Sequence, residues 1–306
     1  MLDTKLLAEL CAVRATSGDE ENLKNYLLKY IDEHQSEWKT KPEIITGEHI
    51  QDCIILKFGK PRTAIFAHMD SIGFTASYGS SLVKIGGPKA ETGYELVGSD
   101  SQGEIECTLN VDEDKNLYYV FDREIDRGTP LTFKPDFRES DNYVQCCYMD
   151  DRLGVYNALK VAEDLEDGVI VFSCWEEHGG ASVNYLSRIL QTEMGVRQAL
   201  ISDITWVTEG IHHGAGVAIS MRDGSVPRQK FIRKIIDIAK QNDVQYQLEV
   251  ESAGGSDGTT LSKSHYAWDW CFIGAPEDFV HSPDEQVHKQ DIVEMIQLYK
   301  VLMQEL

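Results

Sequence analysis

Four short runs, at 63–67 (TAIFA), 169–173 (VIVFS), 199–202 (ALIS) and 270–274 (WCFIG), are apolar with almost no alternation. A strand that is hydrophobic on both faces belongs inside a sheet covered by helices, so the runs predict the buried centre of an α/β fold. Each is followed by a metal-ligand type of side chain: His68, Glu177, Asp203 and His281. A fifth stretch, MDDRLG at 149–154, places Asp150 just before a helix. In an open α/β sheet, strand exits and the loops after them are where ligands bind. Two histidines and three carboxylates suit a pair of zinc or similar divalent ions with one carboxylate bridging. Glu176, the second acid beside Glu177, is then free to act on water at the metals.

The rest of the chain fits this frame. Leu2, Leu6, Leu7, Leu10 and Val13 share one helical face, and Ser17 with Glu20 has the spacing of a capping box that opens a second helix. Strands are expected at about 53–58 and 63–67, the second one central. From about Phe74 to Val144 helical periodicity vanishes. SLVKI, YELVG, IECTLNV, LYYVF and PLTFK alternate with Gly, Asp and Pro turns, as in a small all-β barrel or sandwich. The α/β rhythm then returns. Helices are expected at 152–165 and 182–190, after Pro227 to about Asn242, in a short piece after GGSDGTT, and at the C-terminus. Further strands are expected at 216–221 and 246–250. The chain divides into a catalytic part, 1–73 plus 145–306, and a β insert, 74–144.

Each motif has a bland alternative. His68-x-Asp70 pairs a metal-binding imidazole with an acid able to fix its tautomer, yet a surface His beside an Asp is commoner. Asp150 and Asp151 stand where a helix N-terminus welcomes negative charge, so Asp151 reads as a cap and Asp150 as the bridging ligand. Arg152 either neutralises Asp151 or holds a substrate carboxylate or carbonyl. Glu176 and Glu177, two acids after a fully apolar strand, repel each other without a counter-cation. Glu176 suits the general base that takes a proton from water and delivers it to the leaving amine. Asp203, His281 and Asp257 are each ordinary when read alone. His178 lies near the inferred site as a candidate substrate contact, and so does Asp257 in its Gly-rich loop. No Ser stands in GxSxG and no Cys has an evident His partner, so a nucleophile mechanism has no support.

Composition narrows the partners. There are 51 acidic residues against 29 basic, a formal net charge of −22, which disfavours nucleic acid and anionic membrane surfaces. No stretch approaches a membrane span, and the N-terminus lacks the basic start and apolar run of a signal peptide. The seven cysteines show no disulfide or zinc-knuckle spacing, and a reducing cytoplasm fits best.

Taken in order, AHMDSIGF, MDDRLGV, EEHGGAS, ISDIT, GGSDGTT and HSPDE resemble the motifs of the M42 family of co-catalytic metallo-aminopeptidases, the glutamyl aminopeptidase or TET-type group. IGGPKAETGYELVGS and GTPLTF extend the likeness into the insert. The resemblance implies a phosphorylase/hydrolase-like mixed-sheet catalytic domain with helices on both faces, split by a barrel-like β insert. It implies release of N-terminal residues from short peptides by a homo-oligomer. It implies His68, Asp150, Asp203, Glu177 and His281 as ligands of two ions (zinc, or cobalt or manganese), with Asp150 bridging. Glu176 is then the base and Asp70 the orienting acid, and the Asp150–Asp151 peptide bond is cis, as in relatives. Departures are His178, where the family usually has an apolar residue, the wording TWVTEGIHHGAG, and a short insert.

Two other readings stay open. One is an M20-type deacylase or carboxypeptidase of the same clan, whose insert should read as an α/β lid. The other is an inactive, metal-stabilised assembly protein.

Overall fold

A computed structural model describes residues 2–306. It contains two sheets, one of eleven strands and one of six. At the centre of the larger sheet the four apolar runs lie side by side as Gly168–Ser173, Thr63–His68, Gln198–Trp206 and Asp269–Asp278, all mutually parallel. Their side chains are buried almost without exception, as the unbroken apolar runs require. Ile54–Phe58 and Glu43–Ile45 add antiparallel strands on one side. Val217–Arg222 and Tyr246–Val250 extend the other side, and Tyr246–Val250 pairs with Val217–Arg222 alone. Helices Thr4–Ala12, Met149–Ala162, Gln229–Gln241 and Lys289–Glu305 pack as one group, and Ser182–Glu193 with Asp257–Lys263 as another. The expected mixed α/β sheet with a small barrel-like partner is thus the fold. Among the described residues no helix is long and apolar enough to cross a membrane.

The smaller sheet is wholly antiparallel and runs Leu82–Ile85, Gly73–Ala76, Pro130–Phe133, Glu95–Asp100, Gly103–Val111, Leu117–Val120. A bridge between Ser81 and Tyr118 ties its two ends into a nearly closed barrel. All five β-type runs read from the sequence are strands here. Residues after Phe133 return to the larger sheet: Arg138–Glu139 and Tyr143–Gln145 pair at its far edge through Gln286–His288.

Three local expectations need correction. Asp203 does not end its strand. Gln198–Trp206 stays paired with Asp269–Asp278 as far as Trp206 opposite Glu277, because Gly274, opposite Asp203, lets the backbones approach. A Cβ there would sit 2.5 Å from the Asp203 carbonyl. Ser17 does not cap the second helix, Glu21–His34; its hydroxyl instead donates to Asp70 Oδ2 at 2.6 Å. The helix expected at 152–165 is Met149–Ala162, with a cis bond between Asp150 and Asp151. The backbone is kinked at Asp150 and Asp151, and Asp151 caps the regular turns that follow by accepting the Gly154 amide at 2.7 Å. Gly154 is what lets this helix lie on the sheet, since a Cβ would come within 2.0 Å of the Ser202 carbonyl.

Candidate metal centre

Parallel pairing brings the ligand-type side chains to one edge. His68 closes its strand opposite Ser173, and the chain after Ser173 turns through a single 3-10 turn at Glu176–His178. Asp203 stands on the next strand, and His281 follows the strand after that. The helix Met149–Ala162 delivers Asp150 from outside the sheet.

Asp150 occupies the middle of the group. One carboxylate oxygen lies 3.1 Å from His68 Nε2 and the other 3.2 Å from His281 Nε2. His68 Nε2 is also 3.8 Å from Asp203 Oδ2, and His281 Nε2 is 3.4 Å from Glu177 Oε1. Two sets of donor atoms lie close enough to share an ion: His68, Asp150 and Glu177, and His68, Asp151 and Asp203.

The electrostatics show what is missing. Burial pushes the Asp203, Glu176 and Glu177 carboxyls up, and their neighbouring acids push in the same direction. Burial opposes protonation of His68 and His281, but hydrogen bonds to acids, Asp150 foremost, win. His68 is raised and His281 is pushed up to about 12. The same two histidines hold the Asp150 carboxyl below its usual range against the effect of burial. Glu177 Oε1 is buried, and the His281 Nε2 3.4 Å away is not aligned for a regular hydrogen bond to it. A nitrogen- and oxygen-rich cluster with surplus negative charge and an orphaned carboxylate oxygen fits divalent cations.

The supporting residues are specific. Asp70, fully buried, accepts the Glu176 and Glu177 amides at 2.9 and 3.1 Å and so sets the turn carrying both acids. His68 Nδ1 meets the Asp70 backbone carbonyl at 3.0 Å, with the Asp70 side chain at 3.5 Å. The tautomer is thus fixed through main chain as well as carboxylate. Glu285, which sequence reasoning missed, is fully buried and accepts the His281 amide at 2.8 Å and the Asp150 amide at 3.3 Å. One carboxylate thereby ties together two segments that carry ligand-type side chains. Its signal was present as the last letter of HSPDE. His281 is in the left-handed region at φ 63°, and the Glu285 contact holds it there. Glu20, expected as half of a capping box with Ser17, is buried and instead accepts the Gly18 and Trp175 amides.

The three expected substrate contacts do not line the cleft beside the cluster. Arg152 is fully buried and gives its guanidinium to the backbone carbonyls of Leu10, Met69 and Val13. Each nitrogen of the side chain is thus engaged inside the fold, away from the cleft. Asp257 is buried at the first position of its helix and accepts the Ser173 hydroxyl, while Ser256 does the capping. It sits behind the cluster. His178 is exposed and faces the smaller sheet, its Nδ1 3.4 Å from the Gly86 amide.

The cleft beside the cluster is open to solvent and has a cavity volume of about 160 Å³. Asp150, Glu176, Glu177, Asp203 and His281 line it together with Trp206, Phe272, Asp223, Glu249 and Glu251.

Residues 109–298 match the family model described as M42 glutamyl aminopeptidase. A protein of Acetivibrio thermocellus, described provisionally as an aminopeptidase, is 25% identical over 96% of both chains. An aminopeptidase from Desulfurococcus kamchatkensis superposes with a TM-score of 0.87 at 21% identity, covering 99% of this chain and 94% of its own. The TET1 peptidase of Pyrococcus horikoshii, described as assembling into a tetrahedron or a large octahedral shell, gives 0.84 at 20% identity over 99% of each chain. At that identity the two structural likenesses speak to the fold alone.

Proposed function

The chain belongs to the M42 glutamyl aminopeptidase family and is a peptidase of the aminopeptidase kind, and from that premise we propose that it releases N-terminal residues from short peptides at a centre of two divalent ions. The observation carrying this reading is the Asp150 carboxylate, with one oxygen directed at each of two histidines. In this reading His68 and Asp203 hold one ion, Glu177 and His281 the other, and Asp150 bridges them. Zinc suits the donor set, and cobalt or manganese is an alternative decided by supply. When bound, such ions supply Lewis acidity to the attacking water and to the scissile carbonyl.

The chain's own residues do the remaining work. Glu176, in the cleft wall and without a ligand role, takes a proton from the attacking water and passes it to the leaving amine. Asp70 holds the Glu176–Glu177 turn through two amides, which keeps base and ligand at fixed separation. Glu285 fixes the approach of Asp150 to His281. Assembly of several copies is part of the proposal, by likeness to the TET1 peptidase. The alternative of an M20-type amidohydrolase is disfavoured by the smaller sheet, which is antiparallel β throughout.

The test is hydrolysis of free-amine aminoacyl substrates and their N-acetylated twins by protein stripped of metal and reloaded with zinc, cobalt or manganese. Metal-dependent release from the free amines alone supports the proposal. Efficient cleavage of acetylated substrates supports the deacylase instead. Silence across both sets, with two ions bound, supports the inactive relative.

A further inference from the structure

A second depression, of about 380 Å³, adjoins the cleft and shares Trp206 and His281 with it. It takes Gly87 and Lys89 from the loop between Leu82–Ile85 and Glu95–Asp100 of the smaller sheet. Its residues 277–281 come from the end of the central strand Asp269–Asp278 and the loop after it. Two hydrogen bonds tie the first loop to the candidate ligand His281. The Lys89 amide donates to the His281 carbonyl at 2.8 Å, and His281 Nδ1 donates to the Gly87 carbonyl at 3.2 Å. Lys84 Nζ steadies the same loop by donating to the Pro88 carbonyl at 2.6 Å. The main chain of Lys89 is therefore fixed relative to the ligand cluster.

Charge distinguishes the two depressions. Seven acidic residues line the cleft. Among the described residues Lys89 is the only Lys or Arg lining either depression. It is exposed, and the ion pairs that lysines form all belong to other residues. The two acids of its own groove do not neutralise it: Asp278 faces His213 Nε2 at 3.2 Å, and Glu277 is 1% exposed. The groove also presents apolar surface. Trp206 is 43% exposed and Phe279 is 52% exposed. Phe279 is held at φ 61°, in the left-handed region that bulky side chains seldom adopt. Strain of this kind is kept where a side chain has work to do.

We infer that this groove takes the residues on the leaving side of the scissile bond, and that the Lys89 ammonium pairs with the free C-terminal carboxylate of a di- or tripeptide. This rests on the aminopeptidase reading above. An extended peptide advances at most about 3.3–3.6 Å per residue. Lys89 is one hydrogen bond from the residue that carries a candidate metal ligand, so the carboxylate it meets lies one or two residues past the scissile bond. Elsewhere the acids of the cleft repel a carboxylate. The rings of Trp206 and Phe279 offer apolar contact to the side chains of the leaving residues. Longer chains and amidated chains lose the pairing with Lys89.

The test compares free acids with C-terminal amides. Peptides Xaa-Ala, Xaa-Ala-Ala and Xaa-(Ala)4, in both forms, are hydrolysed by the metal-loaded full chain, with Xaa the residue released fastest in the free-amine panel. In the di- or the tripeptide the acid should exceed the amide in kcat/KM by about threefold or more at low salt. The margin should narrow as salt is added, because the pair is exposed, and should vanish in Xaa-(Ala)4. Lys89→Gln removes the cation and leaves the acids of the cleft, so its amides should exceed its free acids. Lys89→Arg should keep the wild-type order. Xaa-Glu-amide against Xaa-Gln-amide offers the carboxylate from a side chain instead, and no preference is expected there.

Wild-type amides cleaved as well as the acids, or better, overturn the inference. So does an acid preference that survives in Lys89→Gln, or one that appears with Xaa-Glu-amide alone. If no free-amine peptide is cleaved, the aminopeptidase reading itself fails. Calorimetric binding of Ala-Ala-Ala and its amide to the metal-loaded chain then still decides the groove: tighter binding of the acid, lost in Lys89→Gln, upholds the pairing, and equal binding refutes it.

Discussion

Replacing Arg152 with methionine separates a structural cation from a substrate-binding one. The side chain is fully buried, and its Nε, Nη1 and Nη2 donate to the carbonyls of Leu10 at 3.2 Å, Met69 at 2.6 Å and Val13 at 3.3 Å. It thereby pins the end of the first helix to the residue after His68. Methionine fills most of the volume but donates nothing. Leu10 keeps the Val13 amide, and each of the two carbonyls left orphaned costs about 1–3 kcal/mol, on the order of 2–6 kcal/mol together. Relief from holding a guanidinium out of water offsets several kcal/mol of this. Against that relief, Asp70 and Asp151 lose the nearby positive charge. Breaking a buried charge arrangement by removing one partner typically costs about 3–5 kcal/mol, and a net loss in that range is expected here. Urea unfolding of wild type and Arg152→Met, both metal-loaded, measures it through the shift in midpoint at constant slope. KM of the folded variant should stay within a few-fold of wild type. A stability change under about 1 kcal/mol together with a KM raised a hundredfold would refute the assignment and return Arg152 to the substrate.

Four further outcomes follow from the geometry. Glu176→Gln should retain the wild-type metal content by elemental analysis while kcat falls by about 10²–10⁴, and near-normal turnover would remove Glu176 from the base position. Asp150→Ala should lose both ions together in a metal titration; two ions still fully bound would end the bridging assignment. Glu285→Gln retains one acceptor where two amides need one each, so chelator competition should show metal affinity weakened by about 10-fold or more. Burial holds the Glu20 carboxyl up at about 7, so between its unfolded value near 4.5 and 7 the folded chain binds more protons than the unfolded one. The stability this group contributes is full below pH 4.5 and is lost as pH rises through 7, a change of about 3 kcal/mol. Against Glu20→Gln, which keeps an oxygen for the Gly18 and Trp175 amides, wild type should lose relative stability from pH 5 to 8, and parallel profiles would contradict it.

The amino-acid sequence by itself determined the α/β class, the change to an all-β stretch after residue 73, and the set of ligand-type side chains around strand exits. Those properties are local. An apolar run without alternation requires a buried central strand, and turn residues at short intervals require short antiparallel ones. Even the length of the Asp203 strand was not local, because it depended on what its neighbour offered opposite each residue. The tertiary structure alone decided the division of labour among the polar residues. Asp150 lies 82 residues from His68 and 131 from His281, and its two oxygens come between them only because the helix Met149–Ala162 packs against the parallel strands that bring the two histidines to one edge. Ser17 reads as a cap in sequence but meets Asp70 in space, and Arg152 reads as a substrate contact but is held by three distant carbonyls. Glu285 gains its meaning from the two amides it holds, which belong to segments far apart in the chain. Periodicity tells which face of an element is buried. It does not tell which two elements meet, and hydrogen bonds between distant segments are settled there.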